Sequence, residues 1–155
     1  MNRSRVSGIV AEMAGKDDEK RQRIVDAATA LFSRYGYKRT SIEQLASEAQ
    51  LAKPTIYSYF DGKDAIFRAA IQSFCDAVLL AAENASRKDG PMEKRVTDML
   101  VAKFTRYFEL VQSSPHAAEL IGSHGMLGQD IVERTDERFL RLLAATIEKD
   151  RALHP

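Results

Sequence analysis

Apolar residues in this chain recur every three or four positions, which is the spacing of α-helices. The first clear stripe runs over Ile24–Tyr35. Asp17 or Asp18 is suited to cap the start of this helix, and Gly36 is suited to end it because glycine adopts the left-handed conformation at low cost. Residues 1–17 are polar, contain two glycines and show no sustained period, so they are predicted to form a mobile arm.

Three more helices are predicted in quick succession. Thr40 and Glu43 fit a capping box, in which each side chain bonds the other residue's backbone N–H, at the start of a short helix over 42–49. A second short helix over 53–60 opens with Lys-Pro, which the first turn tolerates because its N–H groups have no intrahelical partner. A longer helix is predicted over 63–85.

The rest of the chain continues the helical pattern. Residues 87–90 form the clearest linker, and an amphipathic helix is predicted over 91–111. A short helix over 115–122 and a last helix carrying apolar residues from 131 to 147 follow. No sustained strand-like alternation and no internal repeat is visible. The sequence therefore predicts an all-α protein with seven helices.

The segment 42–60 has the features of a helix-turn-helix. Two short helices that cross steeply need a small residue at their contact, and Ala46 supplies it. Ala49, Leu51 and Ile56 provide the apolar groups around the turn. The side chains left to project outward from the second helix are Lys53, Thr55, Tyr57, Ser58 and Tyr59. One cation and four hydroxyls can bond DNA phosphates and reach base edges in a major groove.

The charge distribution weakly favours the same function. The net charge is only +1, but residues 20–63 hold eight basic and four acidic groups, whereas residues 64–155 hold 12 basic and 14 acidic groups. A basic N-terminal third beside a neutral or acidic remainder is typical of a nucleic-acid-binding domain joined to a second domain. Imbalances of this size are also common in proteins that bind no nucleic acid.

The run K-R-T-S-I-E-Q-L-A-S-E-A-Q-L-A-K-P-T-I-Y-S-Y-F-D-G-K-D-A-I-F resembles the N-terminal DNA-binding domain of the tetracycline-repressor (TetR) family. The resemblance extends over about residues 20–75, including the preceding F-S-R-Y-G-Y. It implies that the base-facing residues are Lys53, Pro54, Thr55 and Tyr59. It implies that the phosphate-contacting residues are Tyr37, Thr40, Ser41, Tyr57 and Lys63.

Two residues depart from the family pattern. Gln50 replaces the usual glycine of the turn, which costs about 1 kcal/mol if the backbone there is left-handed. Ala52 replaces the serine that usually caps the recognition helix, and loss of a cap costs about 1 kcal/mol. We expect these changes to soften the recognition helix without removing a contact residue.

The resemblance also predicts the domain organisation. A helix-turn-helix domain over 18–64 is expected to follow the arm over 1–17, and a helical domain for effector binding and dimerisation is expected over 65–155. Family members have about nine helices, of which the last two form a dimeric four-helix bundle. With seven helices predicted here, either the chain is a truncated version of a longer protein or it dimerises through other surfaces.

An effector pocket is the main expectation for the second half. Large apolar groups cluster in the helix over 91–111, and nearby histidines could add polar groups to a mostly apolar cavity for a small organic molecule. The candidate pocket residues are Met99, Phe104, Tyr107, Phe108, His116 and His124. For any single apolar one of these residues, packing in the protein core is the favoured assignment. The two histidines lack the spacing of a helical metal pair, so neither a metal ion nor a cofactor is expected.

The remaining features exclude several classes of protein. No catalytic constellation or phosphate-binding loop is visible, so an enzyme is disfavoured. The lone Cys75 cannot form an internal disulfide, and no continuous apolar run approaches a membrane span of roughly 20 residues. No signal-peptide pattern is present either, so a cytoplasmic protein with no membrane partner is expected.

The sequence as a whole predicts a homodimeric transcriptional regulator, a repressor that a small effector releases from a palindromic operator. The first alternative is a DNA-binding or architectural protein without ligand control. An α-helical enzyme or carrier is a weaker alternative, since it would require a catalytic group that the sequence does not reveal.

Overall fold

The computed structural model describes residues 3–113, 116 and 127–153, with the side chains of 15–113, 116 and 127–150. These residues form six α-helices and no β-strand, which confirms the predicted all-α class. The helices are α1 (Arg3–Tyr35), α2 (Ile42–Glu48), α3 (Lys53–Tyr59), α4 (Lys63–Ser86), α5 (Met92–Ser113) and α6 (Gln129–Leu153). The short helix predicted over 115–122 lies outside the described residues.

The N-terminal core joins α1, α2, α3 and the first half of α4. Its fully buried residues include Ile24, Leu45 and Ile56. Phe32 of α1 and Phe67 of α4 meet edge to face with ring centroids 5.3 Å apart. The predicted stripe of α1 is confirmed except at Tyr35, which is 41% exposed. The predicted core residues of the two short helices are also confirmed, and together these residues fix the start of α4 against the helix-turn-helix.

The helix α4 is shared by both halves of the fold, since it packs on α1, α5 and α6. The helix α6 lies along α4, with Asp130 and Ile131 near the start of α4 and Phe139 near its far end. A second core cluster, with Leu79 and Ala82 of α4, Met99 of α5 and Phe139 of α6, lies near its far end. By length and composition α4 could cross a membrane. Nine of its residues are buried against the other helices, which is also the pattern of a core helix in a folded domain.

The predicted start of the first helix at Asp18 is wrong, because α1 begins at Arg3. The arm over 1–17 was inferred from the absence of an apolar stripe, which reports packing rather than helix formation. Once a helix is nucleated, each added residue gains a backbone hydrogen bond at little cost. Residues 15–20 therefore continue α1 although their side chains are exposed.

The start of α2 also differs from the prediction by one residue. Ser41, rather than Thr40, is the N-cap, and its partner in the capping box is Gln44 rather than Glu43. The backbone N–H of Gln44 donates to Ser41 Oγ at 3.2 Å, and the backbone N–H of Ser41 donates to Gln44 Oε1 at 2.8 Å. Thr40 with Glu43 and Ser41 with Gln44 both match the sequence pattern of a capping box. The burial of Thr40 decides between them.

Candidate nucleic-acid interface

The turn between α2 and α3 has the left-handed residue that the sequence suggested. Gln50 has φ +53°, and the Leu51 amide donates to the carbonyl of Ala46 at 2.9 Å. Arg23 of α1 donates through Nη2 to the carbonyls of Ala49 at 2.6 Å and Gln50 at 3.2 Å. This guanidinium satisfies carbonyls that the end of α2 leaves unpaired, so it helps to hold the strained turn.

The recognition helix α3 begins without a side-chain cap. Ala52 is its N-cap residue and makes no such bond, and Pro54 lies in the first turn. The expected loss of the serine cap is thus present in the structure. Burial of Ile56 and Phe60 then becomes the main anchor of this helix of only seven residues.

The outward face of α3 is polar, as predicted. Lys53, Pro54 and Ser58 are exposed, and Tyr57 retains half of its accessible surface, at 50%. Thr55 and Tyr59 are half-buried. Lys53, Pro54, Thr55 and Tyr57 therefore have accessible surface that a DNA groove could cover, and their base and phosphate roles remain predictions.

Three of the predicted contact residues each hold a carboxylate partner that the sequence did not reveal. Lys53 pairs with Glu43 of α2, and the hydrogen bond between them raises the pKa of the lysine and lowers that of the carboxyl. The Tyr59 hydroxyl donates to Asp17 Oδ1 at 2.7 Å, which raises the pKa of the phenol. These pairs hold the two side chains in the DNA-free protein and must rearrange where DNA takes the carboxylate's place.

Tyr37 is the third residue of this kind. Its hydroxyl donates to Asp64 of α4, and burial together with that bond raises the pKa of Tyr37 to about 12. The centroids of the Tyr37 and Phe67 rings are 4.9 Å apart. A half-buried tyrosine with these contacts joins the end of α1 to the start of α4, and its predicted phosphate contact would use the remaining accessible surface.

Lys63 is tied to the connection between α1 and α2. Its ammonium donates to the carbonyls of Tyr37 at 2.9 Å and Thr40 at 3.1 Å, and lies 4.3 Å from the centre of the Tyr37 ring. An ammonium has three donors, so one N–H remains for a phosphate. The structure gives Lys63 a clear role in positioning the start of α4, in addition to the predicted DNA contact.

The predicted phosphate contact through the Thr40 side chain is wrong. Thr40 is 2% exposed, and its hydroxyl donates to the carbonyl of Gly36 at 2.9 Å. The hydroxyl satisfies a carbonyl at the end of α1, so it is unavailable to DNA. The neighbouring Ser41 is half-buried and uses its oxygen as the cap acceptor, which leaves its own hydroxyl hydrogen free to donate.

The predicted effector pocket is wrong for three of its residues. Met99 is fully buried in the second core cluster, whereas Phe104 and Phe108 are 62% and 63% exposed. Successive residues of a helix turn by about 100°, which separates Met99 from Phe104 by about 140° and from Phe108 by about 180°. That angular arithmetic was available from the sequence and indicates that the three cannot line one pocket.

Tyr107 does line a cavity, but a small one of about 30 Å³. Its walls come from α1, α4, α5 and α6 and are almost wholly apolar. The lining residues are Thr29, Ala70, Ile71, Phe74, Cys75, Tyr107, Leu110 and Val132. One water needs about 10–15 Å³ and a drug-sized ligand about 300 Å³ or more, so this cavity would have to widen to accept an organic effector.

Two titratable side chains, Tyr107 and Cys75, line this cavity. Burial raises the pKa of Tyr107 to about 12 and raises that of the Cys75 thiol. The Tyr107 ring meets Phe74 edge to face with centroids 5.2 Å apart. His116 is not among the lining residues, and His124 lies outside the described residues. Within the described part of the chain, no group of three metal-ligating side chains is present.

The sequence did not predict the ion pair between α4 and α6. Arg68 donates through both terminal nitrogens to the carboxylate of Asp130, and Nη1 also donates to the carbonyl of Leu127. Arg134 reaches the same carboxylate at 2.8 Å. Hydrogen bonds from these guanidiniums, chiefly that of Arg68, hold the pKa of Asp130 well below its usual range. Only folding could reveal this pair, since 62 positions separate Arg68 from Asp130.

Comparison with known proteins relates the N-terminal helices to a family. Residues 24–70 match the family model described as bacterial regulatory proteins, tetR family. The HTH-type transcriptional regulator YhgD of Bacillus subtilis is 25% identical over 88% of this chain and 73% of its own length. The HTH-type transcriptional repressor KstR of Rhodococcus jostii is 30% identical over 68% of this chain and 51% of its own length.

Solved structures agree on the fold. A TetR family transcription regulator from Marinobacter aquaeolei superposes with a TM-score of 0.70, at 21% identity, over 90% of this chain and 72% of that one. The fold and site thus define a helix-turn-helix transcriptional regulator. Over residues 24–70, the N-terminal helices match the DNA-binding domain of the TetR family, and the curated relatives are HTH-type transcriptional regulators.

Proposed function

We propose that the protein is a cytoplasmic repressor that binds a palindromic operator as a homodimer and leaves it when a small, largely apolar molecule binds. The observation that supports operator reading is the exposed polar face of α3 on a helix-turn-helix whose turn Arg23 stabilises. Two such helices in a symmetric dimer would enter major grooves about 34–36 Å apart. No catalytic activity is part of this proposal.

The contact residues divide into two proposed roles. Lys53, Pro54, Thr55 and Tyr59 are proposed to face bases. Tyr57, Ser41, Lys63 and Tyr37 are proposed to bond phosphates. Phosphate contacts orient the domain on the duplex, whereas base contacts select the sequence. For Lys53 and Tyr59 this requires exchange of Glu43 or Asp17 for DNA.

The proposed effector site is the cavity beside Tyr107. Its apolar walls join α1 and α4 of the DNA-binding half to α5 and α6, so a molecule that widens it would shift these helices relative to one another. Arg68 and Asp130 join the same two halves near the start of α4. A ligand changes DNA affinity only if it binds the two arrangements with different affinity.

The test is fluorescence anisotropy of the purified chain with a duplex from the region upstream of its own gene and with a scrambled duplex. Tight binding to the first alone supports operator reading, and equal affinity for both favours the architectural alternative. A panel of small aliphatic and aromatic compounds is then added to the complex. Release by some of them supports ligand control. Retention of DNA with every compound that enters the cavity would refute that control.

A further inference from the structure

A largely buried ion pair joins α5 to α6. Lys103 of α5 donates through Nζ to Asp136 Oδ1 of α6 at 2.7 Å, and the Lys103 side chain is only 15% exposed. The same ammonium lies 4.5 Å from the centre of the buried Phe139 ring. Taking two charges out of water costs about as much as their attraction returns, so the stability of the fold alone does not explain this pair.

The pair lies next to the proposed effector cavity. Tyr107 is one helical turn from Lys103 on α5, and Val132 is one turn from Asp136 on α6. Tyr107 and Val132 both line the cavity. Each charged residue is therefore about 6 Å along its helix from a residue of the cavity wall. Burial raises the pKa of Tyr107 to about 12, and Cys75 and Asp136 contribute to this shift.

Cys75 of α4 shows the same proximity from a third helix. The thiol lines the cavity, and burial is the main cause of its raised pKa. The negative charge of Asp136 also raises the pKa of Cys75, whereas the positive charge of Lys103 opposes the shift. Both members of the ion pair thus act on a group that a ligand in the cavity would touch.

From this arrangement we propose that Lys103 binds the charged end of the effector, which is a small carboxylic acid with an apolar chain or ring. The apolar part of the molecule occupies the widened cavity, and its carboxylate bonds the ammonium of Lys103. The inference rests on the proposed function, which assigns an apolar effector to this cavity, and it adds the charge that the effector carries.

The ammonium of Lys103 has a hydrogen bond to spare. An ammonium has three N–H donors, and Asp136 is its only hydrogen-bond acceptor among the residues that the structure describes. The face of the Phe139 ring attracts the same charge without accepting a conventional hydrogen bond. At least one N–H is therefore available to a ligand carboxylate.

The position of the ion pair selects for an acid over an amide or an amine. Small-molecule sites are usually apolar with a few placed polar groups. A carboxylate that leaves water needs an opposite charge nearby to offset the cost, and a neutral amide gains less from that charge. Lys103 is the deeper member of the pair, since the Asp136 side chain is 48% exposed. Asp136 repels a second carboxylate, so the two residues should change binding in opposite directions.

The test is isothermal titration calorimetry of the full chain, without DNA, with octanoate and benzoate and with the neutral amide of each. Each carboxylate should bind at least about 10-fold more tightly than its amide, the difference expected for one charged hydrogen bond. Lys103→Met keeps a side chain of similar length and should remove this preference without changing the affinity for the amides. Absence of binding, or tighter binding of the amides by the wild type, would overturn the proposal.

Asp136→Asn gives the opposite sign. It should tighten carboxylate binding about threefold or more, because a competing negative charge is gone. A purely structural ion pair would instead weaken binding in both variants. If Lys103→Met loses its native circular dichroism, Asp136→Asn decides alone, and unchanged or weaker carboxylate binding would overturn the proposal. Octylamine is the charge-reversed probe, and tighter binding of the amine than of octanoate would assign the contact to Asp136 instead.

Two further variants control for charge and location. Lys94 also pairs with an aspartate of α5, Asp98, at 3.0 Å, but it is 65% exposed and lies more than two turns before Lys103. Lys94→Met should therefore leave the affinities for acid and amide as they are. Val132→Phe narrows the cavity and should weaken both. Unchanged binding by a folded Val132→Phe protein would place the ligand elsewhere and overturn the proposal.

Adding the same compounds to the complex with the upstream duplex separates this inference from the proposed function. Carboxylates that bind through Lys103 but release no DNA would support the Lys103 contact and refute ligand control. Release of DNA by neutral compounds, with no preference for carboxylates in calorimetry, would overturn the Lys103 contact and leave the proposed function intact.

Discussion

Arg68 and Asp130 form a two-bond ion pair, with Nη1–Oδ1 and Nη2–Oδ2 distances that are both 2.8 Å. Arg68 lies in the second turn of α4, next to the DNA-binding helices, and Asp130 lies in the first turn of α6. The pair therefore connects the start of α4 directly to the C-terminal half. Side-chain exposures of 39% and 43% leave it accessible to solvent and salt.

Low pH should weaken the ion pair between Arg68 and Asp130. Because the pKa of Asp130 is lowered in the folded protein, its stabilising effect is complete above the ordinary aspartate pKa of about 4. The effect is lost as the pH falls below that value towards the folded-state pKa. The urea midpoint of the wild type should therefore fall more steeply below pH 4 than that of Asp130→Asn. Glu133→Gln on the same helix is the control, and identical curves for wild type and Asp130→Asn would contradict the prediction.

Affinity for DNA should fall steeply with salt. If each half-site uses about four phosphate contacts, a dimer that neutralises about eight phosphates gives a slope of about −7 for log affinity against log salt. Anisotropy titrations at several salt concentrations measure this slope. A clearly shallower slope would mean fewer ionic contacts, because hydroxyl donors such as Tyr57 release no counterions, and an affinity independent of salt would rule out the interface.

Tyr57 and Thr55 should differ in how they affect recognition. Tyr57→Phe removes a hydroxyl proposed to face the backbone, so affinity for operator and scrambled duplexes should fall alike. Thr55→Ala should cost about 1–3 kcal/mol on the operator alone. Tyr35→Phe is the control, since Tyr35 is also exposed but lies at the end of α1. Equal losses on both duplexes for Thr55→Ala would contradict its assignment as a base contact.

Restoring the family residues around the turn should stabilise the domain. Gln50→Gly relieves a left-handed side chain and should raise the free energy of unfolding by about 1 kcal/mol. Ala52→Ser should add a cap to α3 and contribute a similar amount. Ser47→Gly is the control, because a glycine inside α2 should cost about 1 kcal/mol. Chemical denaturation measures all three, and destabilisation by Gln50→Gly would contradict the observed turn.

Met99 should behave as a core residue. Met99→Ala should lower the free energy of unfolding by about 2–5 kcal/mol, because it leaves a void among buried side chains of α4 and α6. Leu80→Ala should change it by less than about 0.5 kcal/mol, since Leu80 is 57% exposed. A small effect of Met99→Ala in urea denaturation would return Met99 to the candidates for a ligand pocket.

The sequence by itself determined the helices, the turn at Gln50 and the polar outer face of α3. Each of these follows from residues within a few positions of one another, so local spacing and backbone preference suffice to predict them. The same local pattern did not predict that α1 extends to residues before Asp18. An apolar stripe reports burial, and the exposed residues 15–17 contribute nothing to one.

Tertiary structure decided which side of each helix is covered. Thr40 and Ser41 are equivalent as caps in the sequence, and only the packing of Thr40 under the end of α1 makes Ser41 the cap. Likewise, contact with α4 and α6 buries Met99 and leaves Phe104 exposed. The partners responsible are far away along the chain, and the free energy of a contact depends on distance in space rather than in sequence.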